Sequence, residues 1–105
     1  DKNVTKKKVL SVINNYEIRL KRLGALKKDF PHQKSPRTRA DKLSHCYSML
    51  DSMREFIAED RMDKVFRWLG FIQGVFWSLN IYNLDSLKNH NRKNKRYKKN
   101  KKIRR

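Results

Sequence analysis

The chain has 105 residues and a mass of 12.8 kDa, and its 28 Lys and Arg against 10 Asp and Glu give a formal net charge of +18. That length is one domain's worth, and three glycines and two prolines exclude a collagen-like or Pro/Gly-rich chain. A single cysteine excludes an internal disulfide framework and makes a reducing compartment the simpler home.

Residues 5–23 predict an amphipathic helix. Val9, Ile13, Tyr16, Leu20 and Leu23 recur at alternating spacings of four and three and form one stripe. Thr5 or Asn3 can cap its start, and Gly24 stands where a left-handed C-terminal cap belongs. Lys6, Lys7, Lys21 and Arg22 lie off the stripe, on a face open either to solvent or to a polyanion. Residues 29–39 then form a connector, because Pro31 and Pro36 break any helix. Phe30 is expected to tuck into the core, while Lys34, Arg37 and Arg39 leave the connector basic enough to meet phosphate.

A second helix is expected over 40–58, with Leu43, Cys46, Leu50, Met53 and Ile57 as its stripe and Tyr47, Met49 and Phe56 widening it. Cys46 reads as a small buried hydrophobe. His45 beside it has no acidic residue at a recognisable spacing, so a Cys–His nucleophile is not supported. Residues 61–79 are apolar on nearly every side, from Met62 through Leu79. A helix of that kind is expected to be buried on more than one side, either at the centre of a bundle or in a homodimer through 61–79. Gly70 and Gly74 share a face and predict a close helix–helix approach. Arg67, Gln73, Ser78 and Asn80 interrupt the segment, and its uncharged run is short for a membrane span of about 20 residues. A closing helix over 83–90 has Asn83 as its cap, with Leu84 and Leu87 facing inward.

The expected fold is therefore all-α, a small bundle of three to four helices over residues 1–91, followed by a basic arm at 92–105. Charge follows the same division. Residues 1–39 carry 12 basic and three acidic side chains, residues 40–91 six and seven, and residues 92–105 ten and none. An arm of that composition is expected to stay unfolded on its own. Its charge calls for a polyanionic partner.

Two stretches also carry a resemblance. Arg67-Trp68-Leu69-Gly70-Phe71-Ile72-Gln73-Gly74 and Leu87-Lys88-Asn89-His90-Asn91-Arg92 resemble segments of small uncharacterised helical accessory proteins of tailed bacteriophages. Phe30-Pro31-His32 and Arg39-Ala40-Asp41-Lys42-Leu43-Ser44-His45 share that similarity, which spans roughly residues 16–92 and leaves the arm outside. The resemblance implies a bacterial host cytoplasm or a virion as the setting and no established activity.

No enzyme signature is present: there is no phosphate-binding glycine loop, no HExxH, and no deaminase-type His-x-Glu with paired cysteines. His32, His45 and His90 are too scattered for a metal site, and no cofactor is expected. The leading expectation is nucleic-acid binding, to RNA or DNA and largely independent of sequence, by phosphate neutralisation with counterion release. Its residues would be Arg92, Lys93, Lys95, Arg96, Lys98, Lys99, Lys101, Lys102, Arg104 and Arg105, with Lys34, Arg37 and Arg39 from the connector. Tyr97 could stack on a base. One alternative is a protein-interaction module that docks on a host or phage protein through Trp68, Phe71, Trp77 and Tyr82. Another is an oligomeric nucleotide binder using Arg67, Lys88, His90 and Arg92.

Overall fold

The computed structural model describes residues 2–31 and 33–92, with side chains from residue 5 onward. It contains α1 (Lys2–Arg22), α2 (Arg39–Ala58), α3 (Met62–Ser78) and α4 (Leu84–Asn91), and no strand occurs among the described residues. The all-α expectation holds, and the helices stand where apolar periodicity placed them. α1 starts at Lys2 rather than at residue 5. The arm residues from Lys93 to Arg105, Tyr97 among them, lie outside the described residues, as does His32.

Side-chain pairings fix the topology. Lys6 meets Asp60 and Glu17 meets Arg54, so α1 runs antiparallel to α2. Phe56 packs edge-on against Trp68 while Arg39 reaches the carbonyl of Leu79, so α2 and α3 are antiparallel as well. α1 and α3 are consequently parallel, and α4 folds back against α1 with His90 beside Tyr16. Ile13, Leu20, Leu50, Met53, Val65, Ile72 and Phe76 close the core with no exposed surface. Each such side chain contributes about 1.5–3 kcal/mol through burial.

α1, α2 and α3 end in the same way. Gly24, Asp60 and Asn80 each take the left-handed conformation just past the helix, at φ of 80°, 60° and 62°. The next residue's N–H then bonds back five positions, from Ala25 to Leu20, Arg61 to Phe56 and Ile81 to Phe76. This is the Schellman arrangement, which satisfies carbonyls the helix leaves unpaired. Gly24 adopts it without steric cost, and Asp and Asn tolerate it better than most residues. At α3 the motif also joins two buried side chains, Phe76 and Ile81. Helix starts are capped where the sequence provides oxygen. Thr38 accepts from the Asp41 N–H at 3.0 Å, and Asn83 accepts from the Ser86 N–H at 2.8 Å.

Several expectations are corrected. α3 is not the central helix of the bundle: within the chain it buries the single face of Val65, Leu69, Ile72, Gln73 and Phe76. Phe66, Phe71 and Trp77 remain 47%, 55% and 52% exposed. Gly70 and Gly74 mark no close approach, because a Cβ built at either meets nothing within 4 Å. Both are exposed, and Gly70 lines a cleft shared with α1 and α4. Leu84 is 56% exposed rather than facing inward, since the inward position of α4 is taken by Leu87. Leu23 follows the last residue of α1 and is 39% exposed, because the chain has already turned toward Gly24. Phe30 is half-buried, edge-on to His45 at 5.9 Å, instead of entering the core. Cys46 is buried as expected, and burial pushes its thiol up to about 12.

Candidate nucleic-acid interface

The net charge of the bundle is concentrated on one helix. α1 carries seven Lys and Arg against Glu17 alone, whereas α2 carries three of each sign. That one carboxylate is turned toward α2, where Arg54 binds Glu17 at 2.7 Å, Asn14 at 2.9 Å and Asp51 at 3.2 Å. Further acidic groups are also occupied near that seam, Asp60 by Lys6 at 3.1 Å and Asp51 by Lys27 at 2.9 Å. The rest of α1 shows Lys7, Arg19, Lys21 and Arg22 exposed to solvent. Arg19 lies over the ring of Tyr82, 5.5 Å from its centroid, and thus beside the segment leading into α4.

α4 brings the far end of the sequence to this helix. His90 and Asn91, its last two residues, share a cleft with Thr5 and Lys8 from the first turns of α1. Arg92 follows directly, exposed, with its guanidinium donating to Asn89 at 3.1 Å. The ten-cation segment 92–105 therefore begins beside the N-terminal turns of the most basic helix.

A buried polar network holds α4 in that place. Gln73 from α3 donates to the Tyr16 hydroxyl at 3.0 Å, and that hydroxyl lies 2.8 Å from His90 Nδ1. The hydroxyl can thus accept from Gln73 and donate onward to His90. Gln73 also donates to Asn91 Oδ1 at 2.8 Å and accepts from Asn91 Nδ2 at 3.2 Å. Burial pushes the Tyr16 phenol up to about 12, with the Gln73 hydrogen bond opposing it more weakly. Tyr82, packed against Tyr16, Phe76 and His90, is also pushed up by burial and partly drawn back by Arg19.

Above the network lies a cleft of about 440 Å³. Val9, Val12, Phe66 and Leu69 give it apolar walls, Gly70 leaves it open, and Gln73, His90 and Asn91 form its polar end. A second cleft of about 680 Å³ lies under the connector, between Phe30, Pro31, Lys34, His45, Trp68 and Phe71.

The structure separates the residues proposed from sequence. Lys34 lines the connector cleft and Arg37 is exposed on the same loop. Arg39 is exposed but donates to the Leu79 carbonyl at 2.7 Å, which ties the start of α2 to the end of α3. Of the four aromatic anchors, Trp68 and Tyr82 are half-buried in ring contacts, leaving Phe71 and Trp77 exposed. Arg67 is exposed but does not line the cleft that His90 lines. Sequence reading missed Gln73 as the link between α3 and α4. A lone amide four residues after Leu69, on the face that α3 buries, was the available signal for Gln73. Among the described residues no helix is long and apolar enough to cross a membrane, and no three His, Cys, Asp or Glu are grouped to hold a metal. Comparison with protein-family models, curated proteins and solved structures finds no match to this chain.

Proposed function

We propose that this protein is a small accessory protein that binds nucleic acid, through the segment 92–105 acting together with the solvent face of α1. What supports this reading is the excess of basic residues on α1 together with the position of Arg92, which opens the ten-cation segment one residue past Asn91, itself beside Thr5 and Lys8 of that helix. Like charges brought together in one place repel, and a polyanion relieves that repulsion while releasing its own condensed counterions. Lys and Arg contacts of this kind neutralise phosphate and carry little sequence information. An enzymatic role finds no support in the sequence, which lacks the spaced nucleophile, base and metal-ligand patterns such chemistry uses.

The reading is tested by titrating labelled duplex and single-stranded oligonucleotides with the full chain across a range of salt. If about five phosphates are contacted, log affinity against log salt should fall with a slope of about −4.5 on duplex and about −3.5 on a single strand. Replacing Lys93, Lys95, Arg96, Lys98 and Lys99 together by glutamine should flatten that slope. Absence of binding at low salt, or binding indifferent to salt, would leave the exposed Phe71 and Trp77 as protein-docking anchors and favour that function instead.

A further inference from the structure

We propose that the cleft between α1, α3 and the end of α4 receives one unpaired nucleobase of a bound single strand. The inference rests on the nucleic-acid reading above and adds to it a ligand-sized site. The cleft's volume of about 440 Å³ falls in the range of roughly 300–1,000 Å³ usual for small-molecule sites. Its lining combines two chemistries. Val9 and Val12 of α1 and Leu69 and the half-exposed ring of Phe66 of α3 give it apolar surface, while Gln73, His90 and Asn91 add polar groups.

A nucleobase has that same combination, with flat apolar faces and an edge of donors and acceptors. An acyl chain would leave the amides facing methylene groups, and a free sugar would leave Phe66 facing hydroxyls. The polar end has capacity to spare. Gln73 and Asn91 pair with each other through one carbonyl lone pair each, and Asn91 uses one of its two N–H groups. One Asn91 N–H and a lone pair on each carbonyl oxygen are left to meet a base edge. Phe66 supplies the stacking surface, and stacking on an aromatic side chain accepts any base.

Charge and access agree with this occupant. Arg92, exposed, stands one residue past Asn91. A phosphate flanking an inserted base would therefore have Arg92 nearby. Gly70 leaves the cleft open: a Cβ there meets nothing within 4 Å, so no neighbouring atom requires glycine at that position. Glycine inside a helix disfavours the helix relative to alanine, and here it leaves room between Phe66 and Gln73. A paired base could not enter, because both its edge and its faces are already covered in a duplex.

The test compares the full chain, Gly70→Leu and Phe66→Ala on a short oligo(rA) and on an abasic phosphodiester with the same number of phosphates. The unmodified chain should prefer the base-bearing strand by about 5- to 150-fold, the range of one stacked base. Both variants should lose most of that preference, keep a cooperative helical melt, and keep the salt slope unchanged. Phe66 is half-exposed, so Phe66→Ala stays informative if Gly70→Leu folds poorly. Equal binding of the two strands by the unmodified chain, or full preference retained in Phe66→Ala, overturns the base site while charge-driven binding stands. Failure to bind either strand at low salt removes the nucleic-acid reading itself, and this inference with it.

Discussion

Tyr16→Phe removes a single oxygen from the place where three helices meet. The hydroxyl accepts from Gln73 at 3.0 Å and lies 2.8 Å from His90 Nδ1, in a side chain that is 1% exposed. The phenylalanine ring keeps the edge-on contact with Phe76, whose centroid is 5.0 Å away, so packing is nearly conserved. What changes is that one N–H of Gln73, itself only 8% exposed, is left without its acceptor. Leaving a buried donor unsatisfied costs about 1–3 kcal/mol. In a bundle of this size each kcal/mol moves the melting temperature by about 4–8 °C, so a fall of about 8–16 °C is expected for about 2 kcal/mol. Thermal denaturation followed by circular dichroism measures it. The network reasoning also predicts non-additivity. Tyr16→Phe combined with Gln73→Leu should cost less than the sum of the two, because the orphaned amide disappears in the double variant. Since the hydroxyl also reaches α4, amide hydrogen exchange over residues 84–91 should accelerate more in Tyr16→Phe than exchange in α2. A melting temperature within about 2 °C of the unmodified protein, with strictly additive double substitution, would refute the claim that this hydroxyl joins the three helices.

Other substitutions separate backbone effects from packing. Gly70→Ala and Gly74→Ala should each leave stability unchanged or raise it by up to about 1 kcal/mol, because the added methyl meets open space and alanine favours the helix; a drop seen in chemical denaturation would reveal a contact at that face. Gly24→Ala should instead destabilise by about 1 kcal/mol, since its φ of 80° ends α1, and an unchanged denaturation midpoint would contradict that. Alkaline pH should destabilise the fold through Cys46 and Tyr16, whose acidities in the folded state are both pushed up to about 12. Groups raised above their unfolded values of about 9 and 10 stabilise the fold fully below those values and lose that contribution as pH climbs toward 12. Stability against denaturant should thus fall between about pH 9 and 12, and the fall should be shallower in Cys46→Ala than in the unmodified chain.

Local signals made most of the bundle readable in advance. Val9, Ile13, Tyr16 and Leu20 repeat with the helical period and are all buried. Gly24 and Asn83 occupy the cap positions that their own chemistry favours. α3 was misread because Phe76, fully buried, and Phe71, 55% exposed, are chemically identical. Only the direction from which α1 and α2 approach decides between them, and no spacing within the segment encodes that. The polar network was equally hidden. Tyr16 meets Gln73 across 57 residues and His90 across 74, so neither pairing leaves a local pattern. The unequal charge of the chain was plain in its composition, but the return of His90 and Asn91 to the first turns of α1 was not.

The functional reading joins the arm to the solvent face of α1, and it is tested most directly by neutralising that face while leaving the arm intact. The measurement is the salt dependence of single-strand affinity for the full chain with Lys7, Arg19, Lys21 and Arg22 replaced by glutamine, all four being exposed on α1. If α1 and the arm bind one polyanion together, affinity should fall and the slope should become shallower by about 0.7 for each phosphate that α1 no longer neutralises. Affinity and slope identical to those of the unmodified chain would contradict the account, because the arm would then bind without the helix beside which it begins.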